Sequence, residues 1–231
     1  MPGFLENLRW KSLPILSRSA FLRNFLLGFL LPLLLPIFHR IFPVQAMASR
    51  KLRPPGALPE KEFLDQCIGC GQCANVCPNG CISLSTPDSG LAGMATPEIS
   101  ARAKGCILCM ACTQVCPTDA LAPLQPTEEG KAAVNMGIAV VQPEVCYSYA
   151  GRTCGVCYRA CPLPGKALRL GLMETPIVNP DHCVGCGLCE QSCVHMPQAI
   201  RVIPAAEWAT RPPSLRVMPE PPSPFVRDAE S

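Results

Sequence analysis

Apolar positions in this chain come in short bursts set between long polar, glycine- and proline-rich stretches. Four bursts have the length of strands and are bounded by turn residues: CISLS at 81–85, ALAPL at 120–124, ALRLGL at 167–172 and AIRVI at 199–203. GIAVV at 137–141 and TPIV at 175–178 read as strands that partner the later ones. The connections 86–104 and 123–137 are rich in Pro, Gly, Thr and Ser and read as surface loops. From Pro204 onward, seven prolines in 28 residues predict an extended tail, disordered or draped over a partner, that forms no core. One burst is longer, the 14-residue apolar run from Phe25 to Phe38.

Composition makes a conventional core implausible. The 231 residues are 48% apolar, which excludes a wholly disordered chain, yet 27 prolines accompany only three tyrosines and two tryptophans. Seventeen cysteines are the surplus. The net charge of +3 is concentrated at the start, where Arg9, Lys11, Arg18, Arg23 and Arg40 face Glu6 alone and give residues 1–48 a charge of +4. The remainder carries about −1, which gives no reason to expect nucleic acid as a partner.

The cysteines repeat. CIGCGQCANVCP supplies Cys67, Cys70, Cys73 and Cys77, and CILCMACTQVCP supplies Cys106, Cys109, Cys112 and Cys116, both as C-x2-C-x2-C-x3-C-P. CVGCGLCEQSCVHMP repeats the spacing at Cys183, Cys186, Cys189 and Cys193 with a delayed proline. CYSYAGRTCGVCYRACP supplies Cys146, Cys154, Cys157 and Cys161 with a first gap of seven residues, spanned by a loop that folds out so that Cys146 still reaches its site. The four motifs span 67–77, 106–116, 146–161 and 183–193.

A 4Fe-4S cube takes one thiolate per iron. Three closely spaced cysteines on a tight loop reach three corners, and the fourth, at the start of a short helix, points away and ligates a second cube. These motifs therefore work in pairs, and four of them predict four 4Fe-4S clusters held by sixteen cysteines as iron ligands. Gly69, Gly71, Gly155, Gly185 and Gly187 let backbone N–H groups approach the sulfurs, while Ile107, Leu108, Val156 and Val184 exclude water. The predicted fold is α+β: tandem ferredoxin-like units of strand, cluster loop, short helix and strand, loop-rich, with the cubes forming much of the core. Structural zinc uses two separated cysteine pairs or cysteine with histidine, and disulfides would leave the fourfold repeat unexplained, so a zinc-stapled interaction protein is the remote alternative.

Cys81 is the seventeenth. Counted from the fourth ligand of each motif it falls in the slot of Ala120, Ala167 and Ala199, which predicts a small buried spacer. His182 and His195 flank the last motif and are read as solvent-facing loop residues, and His39 stands apart. No Walker loop, dinucleotide fingerprint or Ser/His/Asp arrangement has a suitable context, so the chain reads as a non-catalytic electron-transfer component of an oxidoreductase system.

LRPPGALPEKEFLDQCIGCGQCANVCP, Leu52 to Pro78, resembles the entrance to the first cluster of NapG/MauM family ferredoxin-type proteins, and the likeness extends through all four motifs to about Pro204. The resemblance implies a periplasmic relay that takes electrons from a membrane-bound, quinol-oxidising NapH-like partner to a downstream cytochrome or reductase in nitrate or methylamine respiration. From the broader family of four-cluster subunits it further implies that the first motif pairs with the fourth and the second with the third. The alternative within electron transfer is a cytoplasmic subunit of a molybdopterin or hydrogenase-type oxidoreductase.

Such proteins carry a twin-arginine signal, because the cubes are inserted before export. Ser17 to Arg23, SRSAFLR, resembles the S-R-R-x-F-L-K pattern with Ser19 in place of the second arginine. The 14-residue apolar run is the length of a signal h-region and short for a membrane span, and Ala46-Met47-Ala48 reads as a cleavage site. Residues 1–48 are thus a signal-like or membrane-anchoring segment, 49–204 the four-cluster domain and 205–231 the proline-rich tail. The layout predicts periplasmic export, cleaved or anchored; the alternative is a basic segment on the cytoplasmic face of the membrane.

Overall fold

Among the described residues of the computed structural model every strand is three to five residues long, and the sheets are three separate antiparallel ribbons. The model describes residues 51–87, 93–216 and 218–219, and the signal-like segment 1–48 lies outside them. Strand β1 (Ile82–Leu84) pairs with β2 (Pro97–Ile99), β3 (Gly137–Val141) with β6 (Ile200–Pro204), and β4 (Leu168–Leu170) with β5 (Pro176–Val178). The helices among the described residues are equally short: α1 (Glu60–Gln66), α2 (Gln72–Asn75), α3 (Glu128–Ala132), α4 (Val156–Ala160), α5 (Leu188–Ser192) and α6 (Ala205–Thr210). The class is α+β and loop-rich. A two-stranded ribbon is marginal in water by itself, so these elements depend on what they pack against.

The chain runs through one plan twice. An opening segment precedes a cysteine motif, a ribbon turns the chain back, a second motif follows, and a closing segment returns to the opener. In the first half the ribbon is β1–β2, and the closure is a single bridge between Ala57 and Leu121. In the second half the ribbon is β4–β5, and β3 and β6 close it over five residue pairs. Two cores form, and the first reaches across to Val184 and Cys186 of the fourth motif. The first gathers Phe63, Leu108, Met110, Leu121 and Met136 with Cys73, Cys81, Cys106 and Cys112; the second gathers Val141, Leu168, Val178 and Ile200 with Cys146 and Cys189. Thiols thus take core positions that large aliphatic side chains fill elsewhere.

Several expected elements are placed differently. ALAPL at 120–124 makes one bridge and no strand: pairing with the opening segment stops at the hydrogen bonds of Ala120 and Ala122 on either side of Leu121. The connection 86–104 contains β2, whose Pro97 and Ile99 are buried against the first core, so that part of it is a structural strand and not a surface loop. The connection 123–137 contains α3, started by Thr127, whose side chain accepts a hydrogen bond from the Gly130 N–H. The tail opens as helix α6: AAEWAT has no proline, Ala205 N–H donates to Met136 O, and Arg211 pairs with Glu207 at 2.8 Å. Prolines resume only at Pro212, where the helix has ended.

The LRPPGAL lead-in is a clamp on the first motif pair. Pro54 and Pro55 are fully buried. Gly56 stands at φ +76°, and a Cβ there would lie 2.4 Å from Ala122 O, which lets Gly56 O accept from Ala122 N–H at 2.7 Å. Arg53 is 6% exposed; it donates to both carboxylate oxygens of Glu60 (3.0 and 2.5 Å), to Thr96 Oγ1 and Pro97 O (2.8 Å each), and its guanidinium lies 4.6 Å from the centre of the Phe63 ring. Only the Arg53 side of this pair is buried, so removing Glu60 would leave the guanidinium short of its carboxylate partner within a largely dry site.

Candidate metal centres

The local backbone of each motif explains why three cysteines face inward. In all four, the residue after the second cysteine has left-handed φ: Gly71, Met110, Gly155 and Gly187 at +73°, +60°, +54° and +83°. That residue starts a single helical turn carrying the third cysteine, which is a 3-10 turn at Ala111–Gln114 in the second motif. Glycine enters the left-handed region without cost, whereas Met110 and Leu108 (φ +57°) occupy it with full side chains, both buried in the first core. The fourth cysteine comes after the turn, with Cys161 and Cys193 extended at ψ 129° and 122°. It therefore leaves the helix end and does not start a helix, and it points away from its own loop.

The sixteen cysteines gather into four quartets, named here for the motif that supplies three thiols. The first site is Cys67, Cys70, Cys73 and Cys116 around a small cavity. The third is Cys146, Cys154, Cys157 and Cys193 around another, and the fourth is Cys183, Cys186, Cys189 and Cys161 around one of its own. In the second site Cys112 feels the charges of both Cys109 and Cys77, and Cys81 bridges the remaining pair, 3.6 Å from Cys77 Sγ and hydrogen-bonded to Cys106. Motif one therefore exchanges its fourth cysteine with motif two, and motif three with motif four. This overturns the expected pairing of one with four and two with three. The ribbons β1–β2 and β4–β5 are the cause, since each turns the chain back so that consecutive motifs face each other. The long first gap of motif three is accommodated as a loop that returns Cys146 to the third cavity.

The walls are apolar. Ala120 lines the first cavity, Ala167 the fourth and Ala199 the third, each a few residues after the fourth cysteine that closes the same cavity. Cys81 holds that place after Cys77, so at the second site a thiol stands where the others have a methyl group. Its hydrogen bond to Cys106, and then burial, push the Cys81 thiol far above the ordinary cysteine range. His182 is exposed as expected, but His195 lines the third cavity, with its ring 5.0 Å from that of Tyr147 and Nδ1 2.7 Å from Pro197 O. The preceding ligand Cys193 carries it there, a placement that its position beside the motif left open.

The donor set fits an iron–sulfur cube. Burial, the leading cause in each case, raises Cys73 to about 11 and Cys112, Cys157 and Cys186 to about 12, with Cys189 pushed up well above the ordinary value. Neighbouring cysteines add to each of these shifts by charge repulsion. Four such thiols become thiolates together only around a positively charged body. Backbone N–H groups are already aimed at sulfurs: Leu108 at Cys106, Ala139 at Cys183 and Ala199 at Cys193, each at 3.4 Å. Cys116, though partly desolvated, is held below the usual thiol value by the N–H groups of Leu121, Thr118 and Ala120 and by the Thr118 hydroxyl.

Quartets that exchange their fourth thiol in pairs define a ferredoxin-type iron–sulfur protein. Comparison with known proteins agrees: residues 66–120 match the 4Fe-4S dicluster domain and residues 176–193 the 4Fe-4S binding domain. The chain is 43% identical over 169 residues to the methylamine utilization ferredoxin-type protein MauM of Methylobacillus flagellatus, covering 69% of this chain and 70% of that one. It is 41% identical to MauM of Paracoccus denitrificans (70% and 74% covered) and 39% identical to the ferredoxin-type protein NapG of Escherichia coli (67% and 71% covered). The chain belongs to the MauM/NapG family of ferredoxin-type proteins.

Proposed function

We propose that the chain is an electron relay holding four 4Fe-4S clusters, one per quartet, with each half a two-cluster ferredoxin unit. The observation that carries this reading is the closure of each quartet by a fourth thiol from the facing motif, as a cube with four iron corners requires. Bound cubes supply reversible one-electron storage. The protein residues hold them: the thiols ligate, the left-handed turns aim the third cysteine, the alanine and aliphatic walls keep water out, and the N–H groups at 3.4 Å from sulfur favour the more negative, reduced state. No protein proton need move.

The same reading gives the chain no catalytic residue of its own. Its proposed donor is a membrane-bound quinol dehydrogenase-like protein and its acceptor a periplasmic cytochrome or reductase, in keeping with the methylamine utilization named for its relatives. Purified anaerobically, the protein should carry about sixteen irons per chain, four for each cube, and show broad visible absorption that dithionite bleaches. A colourless, zinc-loaded protein would refute the proposal.

We further propose that residues 1–48 direct the loaded protein to the periplasm, that 49–204 form the cluster domain, and that 205–231 follow it as a tail. The support is the tripartite layout of the first segment, altered at Ser19. Ser19→Arg should raise the periplasmic fraction in a cell-fractionation assay; an unchanged distribution would count against export by this route.

A further inference from the structure

The two halves meet ligand loop to ligand loop. Cys106 of the second site donates its backbone N–H to the carbonyl of Cys186 in the fourth site at 2.7 Å. Two glycines permit this approach. A Cβ on Gly105 would lie 2.7 Å from Leu188 N and 2.8 Å from Gly187 C, and one on Gly187 would lie 2.6 Å from Ala101 Cβ. Polar side chains pin the contact from both sides. Gly105 N–H donates to Gln191 Oε1 at 2.8 Å, Asn79 Nδ2 donates to Gly105 O at 2.7 Å, and Arg102 Nη1 donates to the carbonyls of Glu190 and Cys193 at 3.1 and 2.9 Å. The covering of the fourth motif agrees. Ile68 and Ile107 and Tyr147, each following the first cysteine of its motif, are exposed, whereas the equivalent Val184 is 5% exposed and its carbonyl accepts from Met136 N–H at 3.2 Å.

The outer loops make no such contact. Among the described residues, no hydrogen bond joins the loop 67–73 of the first site, or the loop 146–157 of the third, to the opposite half. Cys70, in the first of these loops, is the only exposed cysteine of the seventeen. Within each half the third cysteines face across the pair of sites, so that Cys112 feels the charge of Cys73 and Cys189 that of Cys157.

Resting on the iron–sulfur reading above, we propose that the seam built by Gly105, Gly187, Arg102 and Gln191 sets the relay order as first, second, fourth, third, with the crossing between halves at Cys106 and Cys186. Electron tunnelling falls steeply with distance, so a seam that brings ligand backbones into direct hydrogen bonding selects the second and fourth sites as the pair that exchange. Each crossing moves one electron, oxidising one side and reducing the other by one, with no bond made and no proton taken up. The sequence order of the motifs is therefore not their electrical order, and the two ends of the chain of sites are the first and the third.

Two variants of the holoprotein test this. Gly105→Val drives a wedge into the seam, and Arg102→Met/Gln191→Leu removes its pins without adding volume. Iron content, pulsed EPR of the dithionite-reduced protein and the rate of electron equilibration after a short reducing pulse are read on each. The expected result is parental iron, retained spin coupling within each half, weakened coupling between halves, and equilibration between halves slowed at least tenfold. Parental iron with unchanged inter-half coupling and rate in both variants overturns the proposal. If the wedge loses iron, the pin-removal variant decides by the same readouts. Failure of the iron–sulfur reading shows separately, as a parent protein without bleachable clusters.

Discussion

Cys116→Ser combined with Cys77→Ser should leave about eight irons, all in the second half, of the about sixteen that the four proposed cubes would supply. Each substitution removes a corner ligand from a site in the first half, since Cys116 closes the first cavity and Cys77 meets Cys112 at the second. The companion variant Cys116→Ser/Cys193→Ser should damage both halves, because Cys193 closes the third cavity. Because the two cubes of a pair share one core, loss of one unseats the other; if motif one instead paired with four and two with three, Cys77 and Cys116 would serve different pairs, and their joint loss would strip clusters from the whole protein. Iron analysis with EPR quantitation of the reduced protein separates the two cases. Loss of nearly all iron from Cys77→Ser/Cys116→Ser would contradict the exchange of ligands between consecutive motifs.

Iron removal should abolish cooperative folding of residues 51–216. The strands are three to five residues long, the first half is closed by one bridge, and cysteines take positions at the centre of both cores. A single structural metal site contributes on the order of 10 kcal/mol of folding free energy, comparable with the total of about 5–15 kcal/mol for an ordinary domain, so the proposed clusters would be a leading source of stability in this chain. Chelation should therefore remove the cooperative thermal transition followed by circular dichroism. Acid should act in the same direction. With thiol pKa values raised to about 11 and about 12 by burial, the metal-free thiols of Cys73, Cys112, Cys157 and Cys186 stay protonated at neutral pH; ligation must displace those protons, and falling pH favours the metal-free form. An iron-free protein that melts cooperatively at the temperature of the loaded one would show that the apolar contacts suffice.

The strands next to the motifs were legible as apolar bursts: GIAVV forms β3 over its full predicted extent, and TPIV and CISLS form β5 and β1 within a residue or two. Strand β2 was not, because PEI is too short and too polar to stand out from a proline-rich connection. It forms because the ribbon buries Pro97 and Ile99 beneath the clamp made by Arg53 and Phe63. The lead-in LRPPGAL was visible as a family signature, but its physical role was not. Buried prolines and a left-handed glycine gain meaning only from the segment 120–122 against which they close.

By itself the sequence determined the chemistry, because the ligand spacing within each motif is set by one local turn, and that turn is encoded by the residues between the cysteines. Even Met110 and Leu108, which lack the freedom of glycine, adopt the left-handed geometry that the spacing demands. Which motif lends its fourth cysteine to which was decided by tertiary structure alone. A fourth ligand points away from its own loop, so its destination depends on the β1–β2 and β4–β5 ribbons that bring consecutive motifs face to face. The contact between Cys106 and Cys186 was likewise beyond reading from sequence, since it joins residues eighty positions apart through a backbone hydrogen bond that any pair of residue types makes. Local turns are written in the residues that form them, whereas close approaches between distant backbones are written only in the packing around them.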